Sequence, residues 1–149
     1  MKLPKYPLAA DDDLTTFEFV SEGPKGLIHK LVQFTPTNLK GLYILAFGDK
    51  DHLTGEIDDF VISNNGDSEK VLTTVVATVF AFTDKYPDAW IYATGSTKAR
   101  TQLYRMGIGK HLTEVAKDFE ILGEENDDWE TFKKNIDYEG FLVKRKKKK

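Results

Sequence analysis

Apolar positions recur along this chain in two different periods, and the switch between them divides it. Thr15 to Val20 alternates around Phe17 and Phe19, as a half-buried strand does. Leu27 to Thr35 alternates again, with Ile28, Val32 and Phe34 on one face. Leu42 to Phe47 is apolar on both faces, which predicts a strand in the middle of a sheet. Glu56 to Ser63 predicts a fourth strand around Ile57, Phe60, Val61 and Ile62. Turn signals at Glu22 to Gly26 and Pro36 to Gly41, and a polar loop at Gly48 to Gly55, join these strands as an antiparallel meander. Met1 to Asp13, with two prolines and three successive aspartates, reads as an irregular lead-in.

After the loop Asn64 to Asp67 the period becomes helical. Val71, Leu72, Val75, Val76, Val79 and Phe80 share one face of a helix from about Ser68 to Lys85, and Pro87 ends it. The rest of that helix is also uncharged from Thr73 to Ala81, so burial on most of its surface is expected. Trp90 to Ala93 follows as a strand. A basic helix with Lys98, Arg100 and Arg105 comes next, and Gly107 and Gly109 are expected to break it. Leu112 to Ala116 predicts a further helical turn and Phe119 to Leu122 a strand. Asp128 to Asn135 predicts a short helix with Trp129 and Phe132 on one side, and Tyr138 to Lys144 a last strand. The order β-β-β-β-α-β-α-β-α-β defines an α+β protein. A mainly antiparallel, twisted sheet packs on a long central helix, in a single domain over residues 1–149. Residues 145–149 are expected to form a basic disordered tail.

Composition narrows the function classes. At 149 residues, with 40% apolar and 30% charged side chains, the chain can bury one core. It has no cysteine, which removes disulfides, thiolate metal sites and cysteine nucleophiles. The net charge is −3, although residues 144–149 are all basic; without those six the chain stands at −9. An acidic body argues against broad binding to nucleic acid. The uncharged stretch Val71 to Thr83 is too short to cross a bilayer, and the cytoplasm is the expected location.

Backbone geometry and charge converge at one place. The strand Trp90 to Ala93 turns through Thr94 and Gly95 into the basic helix, with Ser96 or Thr97 at its N-cap. Free N–H groups there, with Lys98 and Arg100 close by, make Gly95, Ser96, Thr97, Lys98 and Arg100 a candidate site for a small anion or an acidic protein partner. Arg105 lies too far along the helix to join it. The remaining chemistry is sparse. His29, His52 and His111 fall on separate elements and share no metal-ligand spacing, so no metal is expected. Strand alternation puts Asp58 and Asp59 on opposite faces, so they do not form a catalytic pair. Trp90 and Trp129 read as core anchors.

Two resemblances add to this reading. Tyr6-Pro7-Leu8, the segment Gly95 to Arg100 and the closing Tyr138 to Val143 are similar to a small bacterial family of hypothetical proteins, which implies no activity. More distantly, the element order and the spacing of Ser96, Ala99 and Gly107-Ile108 resemble the Gcn5-related N-acetyltransferase fold. That resemblance implies a diphosphate loop at Asn64 to Lys70, where Asp67 and Glu69 oppose phosphate, and a catalytic tyrosine at a position that is Leu103 here. Tyr104 is one residue on, about 100° around the helix, and reads as a structural tyrosine. The expectation is therefore a non-catalytic binding or interaction module on an acyltransferase-like scaffold, with no cofactor and catalytic residues unknown. An acetyl-coenzyme A-dependent N-acetyltransferase with an altered loop is the alternative. A nucleic-acid-associated or toxin–antitoxin component is a third reading.

Overall fold

The computed structural model describes residues 4–58, 65–94 and 98–147; within the last segment the side chains of Lys98, Ala99, Arg100 and Leu103 are outside the description. Its strands are β1 (Ala9–Ala10), β2 (Thr16–Gly23), β3 (Gly26–Pro36), β4 (Leu42–Lys50), β5 (Ile57–Asp58), β6 (Trp90–Ala93), β7 (Phe119–Glu125), β8 (Asp128–Thr131) and β9 (Gly140–Arg145). Its helices are α1 (Ser68–Lys85), α2 (Lys98–Lys110) and α3 (Leu112–Asp118). The strands form one sheet in the order β1-β2-β3-β4-β6-β9-β7-β8, with β5 on β4. All described pairs are antiparallel except β4 with β6, which run parallel from Leu42↔Trp90 to Leu45↔Ala93. A parallel pair needs a crossover, and the chain from β4 to β6 makes it through α1.

Period-two alternation decides which face of the sheet the helices cover. Phe17, Phe19, Val32, Phe34, Leu45, Ile91, Phe119, Ile121 and Phe141 are buried on one face. α1 lies on it: Phe82 is fully buried and stacks on Phe34 at 4.2 Å, and Phe80 meets Phe119 edge-on. The expected helix from Ser68 to Lys85 is present with those bounds, and no residue from Val71 to Thr83 is exposed. Its threonines make this burial tolerable. Thr73, Thr74 and Thr83 return their hydroxyls to the carbonyl four residues earlier, and Thr78 to Val75 O. Lys30 and Asp49 are also buried on this face, paired with each other.

Five expectations need correction. The lead-in is not wholly irregular: β1 pairs with β2, and Tyr6 is 5% exposed, stacked on Phe19. Gly107 and Gly109 do not break the second helix, which continues to Lys110. A Cβ at Gly107 would lie 2.8 Å from Leu72 Cδ1, so this glycine serves close helix–helix approach instead. Asp128 to Thr131 is a strand, because Asn126 and Asp127 adopt positive φ and fold β8 back on β7. Trp129 is accordingly no core anchor: it lies on the sheet's outer face, 39% exposed. Finally, Arg145 does not belong to a loose tail. It ends β9, donates to Thr83 Oγ1 at 2.7 Å and to Asp84 at 2.8 Å, and Lys146 N–H donates to Asp118 O. Of the fourth strand expected over Glu56 to Ser63, residues 59–63 lie outside the described residues.

Two measurements test this packing. Phe82→Ala should cost about 3–5 kcal/mol in urea unfolding, since a fully enclosed ring leaves a cavity. On the outer face, Tyr92 donates to Glu124 Oε1 at 2.9 Å, and burial followed by that carboxylate pushes its pKa up to about 12. The folded value lies above the unfolded 10.0, so this contribution to stability is complete below about pH 10 and is lost as pH rises toward 12. Ultraviolet titration should show one late phenol, and Glu124→Gln should bring it down.

Candidate functional site

The start of α1 is fixed by a side chain that does not cap it. Asp67 occupies the N-cap, yet its carboxylate makes no capping hydrogen bond. It accepts instead from Tyr6 Oη at 2.6 Å and from Ser21 Oγ. Burial first, then this carboxylate, raises the Tyr6 pKa. Asn65, 2% exposed, extends the cluster: its Nδ2 donates to Ser21 Oγ and Gly26 O, and its Oδ1 accepts from Lys25 N–H at 2.7 Å. Gly23 is required here, because a Cβ would sit 1.9 Å from Asn65 O. Tyr6 N–H also donates to Thr74 Oγ1. The first turn of α1 is thus held against the β2–β3 hairpin while its N–H groups receive no side-chain cap among the described residues.

Beside that first turn lies a groove of about 500 Å³, bounded by Ser68 and Glu69 of α1, Arg105 and Lys110 of α2, His111 and Lys134. Of the eleven described residues that line it, four carry basic side chains: Arg105, Lys110, His111 and Lys134. Glu69 is paired with Lys110 at 3.0 Å, an exposed contact. Arg105 Nε is buried and has no hydrogen-bond partner among the described residues. A guanidinium N–H shut away from water without an acceptor is costly unless something supplies one. Behind the groove, Leu45, Ile91, Ala93, Tyr104, Ile108 and Val115 line a smaller apolar cavity of about 80 Å³. Leu72, Gly107 and His111 border both spaces.

The sequence-derived site is placed only in part. Gly95, Ser96 and Thr97 lie outside the described residues; Lys98 and Arg100 open α2, with side chains outside the description. Just before them Thr94 Oγ1 donates to Glu139 O, and just after them Thr101 is buried. Tyr104 is 7% exposed and belongs to the core. The sequence pattern sets Arg105 aside, raises His111 only as a metal ligand, and does not single out Lys134. No local motif joins these three; they meet because α1, the end of α2 and the segment after β8 border one groove. His29 and His52 also come together, with rings 5.8 Å apart. There Glu18 accepts from Lys50 and pairs with His29, and Lys50 first among these partners lowers the Glu18 pKa. Among the described residues, no group of three or more His, Asp or Glu is placed to hold a metal ion, and no helix is long and apolar enough to cross a membrane.

Fold and groove together define a two-layer α+β protein, with its helices on one sheet face and a basic groove at the start of its longest helix. The chain belongs to DUF6934, a family of unknown function whose model matches residues 2–146. No curated protein and no solved structure matches it.

The anchor at Asp67 has a measurable weight. Asp67→Ala removes the acceptor of Ser21 Oγ and the nearer acceptor of Tyr6 Oη, which keeps Glu22 O at 3.2 Å, and should cost about 1–3 kcal/mol in chemical denaturation. An unchanged unfolding midpoint would mean that the cluster does not hold α1 in place.

Proposed function

We propose that this protein is a non-catalytic binding module for a small anionic ligand, such as a phosphorylated metabolite, seated between the first turn of α1 and the Arg105 side of α2. The observation that carries this reading is Arg105 Nε, buried and without a hydrogen-bond partner among the described residues, on a groove that also holds Lys110, His111 and Lys134. An uncapped helix start supplies further N–H donors and the favourable end of the helix dipole. Of the two acids near that start, Asp67 keeps its charge but is turned toward Tyr6 and Ser21 and is not part of the groove lining, while Glu69 is paired with Lys110, which leaves Arg105, His111 and Lys134 to face the ligand. Gly95, Ser96, Thr97, Lys98 and Arg100 remain candidates for contact with the same class of ligand at the start of α2. A cytoplasmic location, expected from the sequence, is part of this proposal.

The second reading is the acetyl-coenzyme A-dependent transferase. It is favoured by the apolar cavity next to the groove, which Tyr104 lines. Binding without catalysis is preferred, since Glu69, the acid that lines the groove, is taken up by Lys110.

Thermal unfolding in sodium phosphate against sodium chloride of equal ionic strength tests the proposal. Phosphate at a hundredfold excess over its Kd stabilises a folded site by about 2.7 kcal/mol, a shift of several degrees. The parent chain should show that shift and Arg105→Ala should not. Equal shifts in the two proteins would sink the proposal.

A further inference from the structure

The apolar cavity behind the groove carries the inference, which rests on the anion reading and adds the remainder of the ligand. Sheet and helices build this cavity together. Leu45 of β4, Ile91 and Ala93 of β6, Val75 of α1, Ile108 of α2 and Val115 of α3 all line it. Among the described residues, Tyr104 and His111 are the polar side chains in its wall. Such a wall favours an apolar occupant over water. Close packing ordinarily fills a space of about 80 Å³, since a void leaves its lining without contacts. Ala93 leaves this one open. It presents a methyl group where its ladder neighbours Leu45 and Phe141 present large side chains.

The cavity and the cationic groove share a wall, because Leu72, Gly107 and His111 border both. Leu72 closes that wall by packing on α2 where Gly107 has no side chain; a Cβ there would lie 2.8 Å from Leu72 Cδ1. Leu72 is itself only half-buried, so a change of its rotamer joins the two spaces. An anion held by Arg105, His111 and Lys134 thus has an apolar recess on the far side of one leucine. The recess also limits what enters. A cavity of about 150 Å³ takes benzene, so about 80 Å³ takes about three carbons. A bare anion leaves the recess empty, and a purely apolar molecule leaves the cations without a partner. A charged head on a short apolar chain satisfies both.

We infer that the ligand is a phosphate monoester of a short alkyl chain, with its phosphate against Arg105 and its tail passing Leu72 into the cavity. Calorimetric titration of the parent chain with inorganic, methyl, propyl and hexyl phosphate at one ionic strength tests it. Each methylene buried should tighten binding about fourfold, so propyl phosphate should bind about tenfold or more tighter than methyl phosphate. Hexyl phosphate should gain nothing over propyl phosphate, because the recess is then full. Ala93→Leu adds about three carbons to the recess and should abolish the propyl advantage. Ile108→Phe, at a half-buried helix position, fills the same space if the strand variant does not fold. Arg105→Ala should weaken every member of the series alike. A parent chain that binds inorganic phosphate and the esters equally overturns this inference and leaves the anion reading standing. A propyl advantage undiminished in a folded, filled variant does the same. A parent chain that binds no member of the series overturns both readings, and so does an Arg105→Ala chain that binds them as tightly as the parent.

Discussion

The Asp67 carboxylate is the contact on which both the packing and the groove depend. An aspartate before a helix ordinarily turns back and caps it. This one faces the other way, into a pocket where Tyr6, Ser21 and Asn65 meet. Three segments distant in sequence are thereby joined: the chain before β1, the β2–β3 hairpin and the entry to α1. Tyr6 sits on Phe19 only because its hydroxyl has an acceptor inside, since a buried phenol without one would be costly. The same turn of the carboxylate leaves the helix start uncapped. One side chain therefore fixes the position of α1 and leaves donors where a ligand could use them.

The helix that Asp67 anchors is unusual in how it hides polar groups. Hydroxyls of Thr73, Thr74, Thr78 and Thr83 all donate to α1's own carbonyls, so four polar side chains enter the interior without needing an acceptor from the sheet. Thr74 Oγ1 serves twice, donating to Lys70 O and accepting from Tyr6 N–H. Thr83 Oγ1 likewise accepts from Arg145, which ties the end of β9 to the end of α1. Local back-bonding is weak in itself. Its value here is that long-range contacts can then be added to hydroxyls already in place, one at each end of the helix.

Much of the fold could be read from the sequence because its signals are local. The alternation at Phe17 and Phe19, the two-faced apolar run at Leu45, and the 3.6-residue spacing from Val71 to Phe80 each predict the element that is present. Misreadings arose where a local rule lost to a long-range one. Gly107 carries the signature of a helix breaker, but α2 keeps it because Leu72 of α1 occupies the space a side chain would need. Trp129 and Phe132 have helical spacing, but the positive-φ pair Asn126 and Asp127 commits the segment to a hairpin. Tyr6 has no periodicity around it at all; its burial comes from Phe19 and Asp67, 13 and 61 residues away in the chain. The groove could not be read for the same reason. Arg105, His111 and Lys134 share no motif, and only the packing of α2 and the segment after β8 around the start of α1 makes them neighbours.

The two layers also divide labour in a way that composition conceals. A net charge of −3 describes a weakly acidic protein. Placed on the fold, Arg105, Lys110, His111 and Lys134 border one groove on the helical side, while Glu124, Glu125, Asp127 and Asp128 cluster at the β7–β8 turn. Coulomb attraction between exposed groups fades within about 10 Å at ordinary salt, so a partner at any one patch experiences the local sign and not the sum. Separation of this kind has a cost: like charges in one cluster repel, and the acids near the β7–β8 turn gain nothing from the lysines at the far end of β9. A chain indifferent to binding would intersperse the two signs. Here the two signs stand apart, and the anion site proposed above accounts for the cations that border the groove.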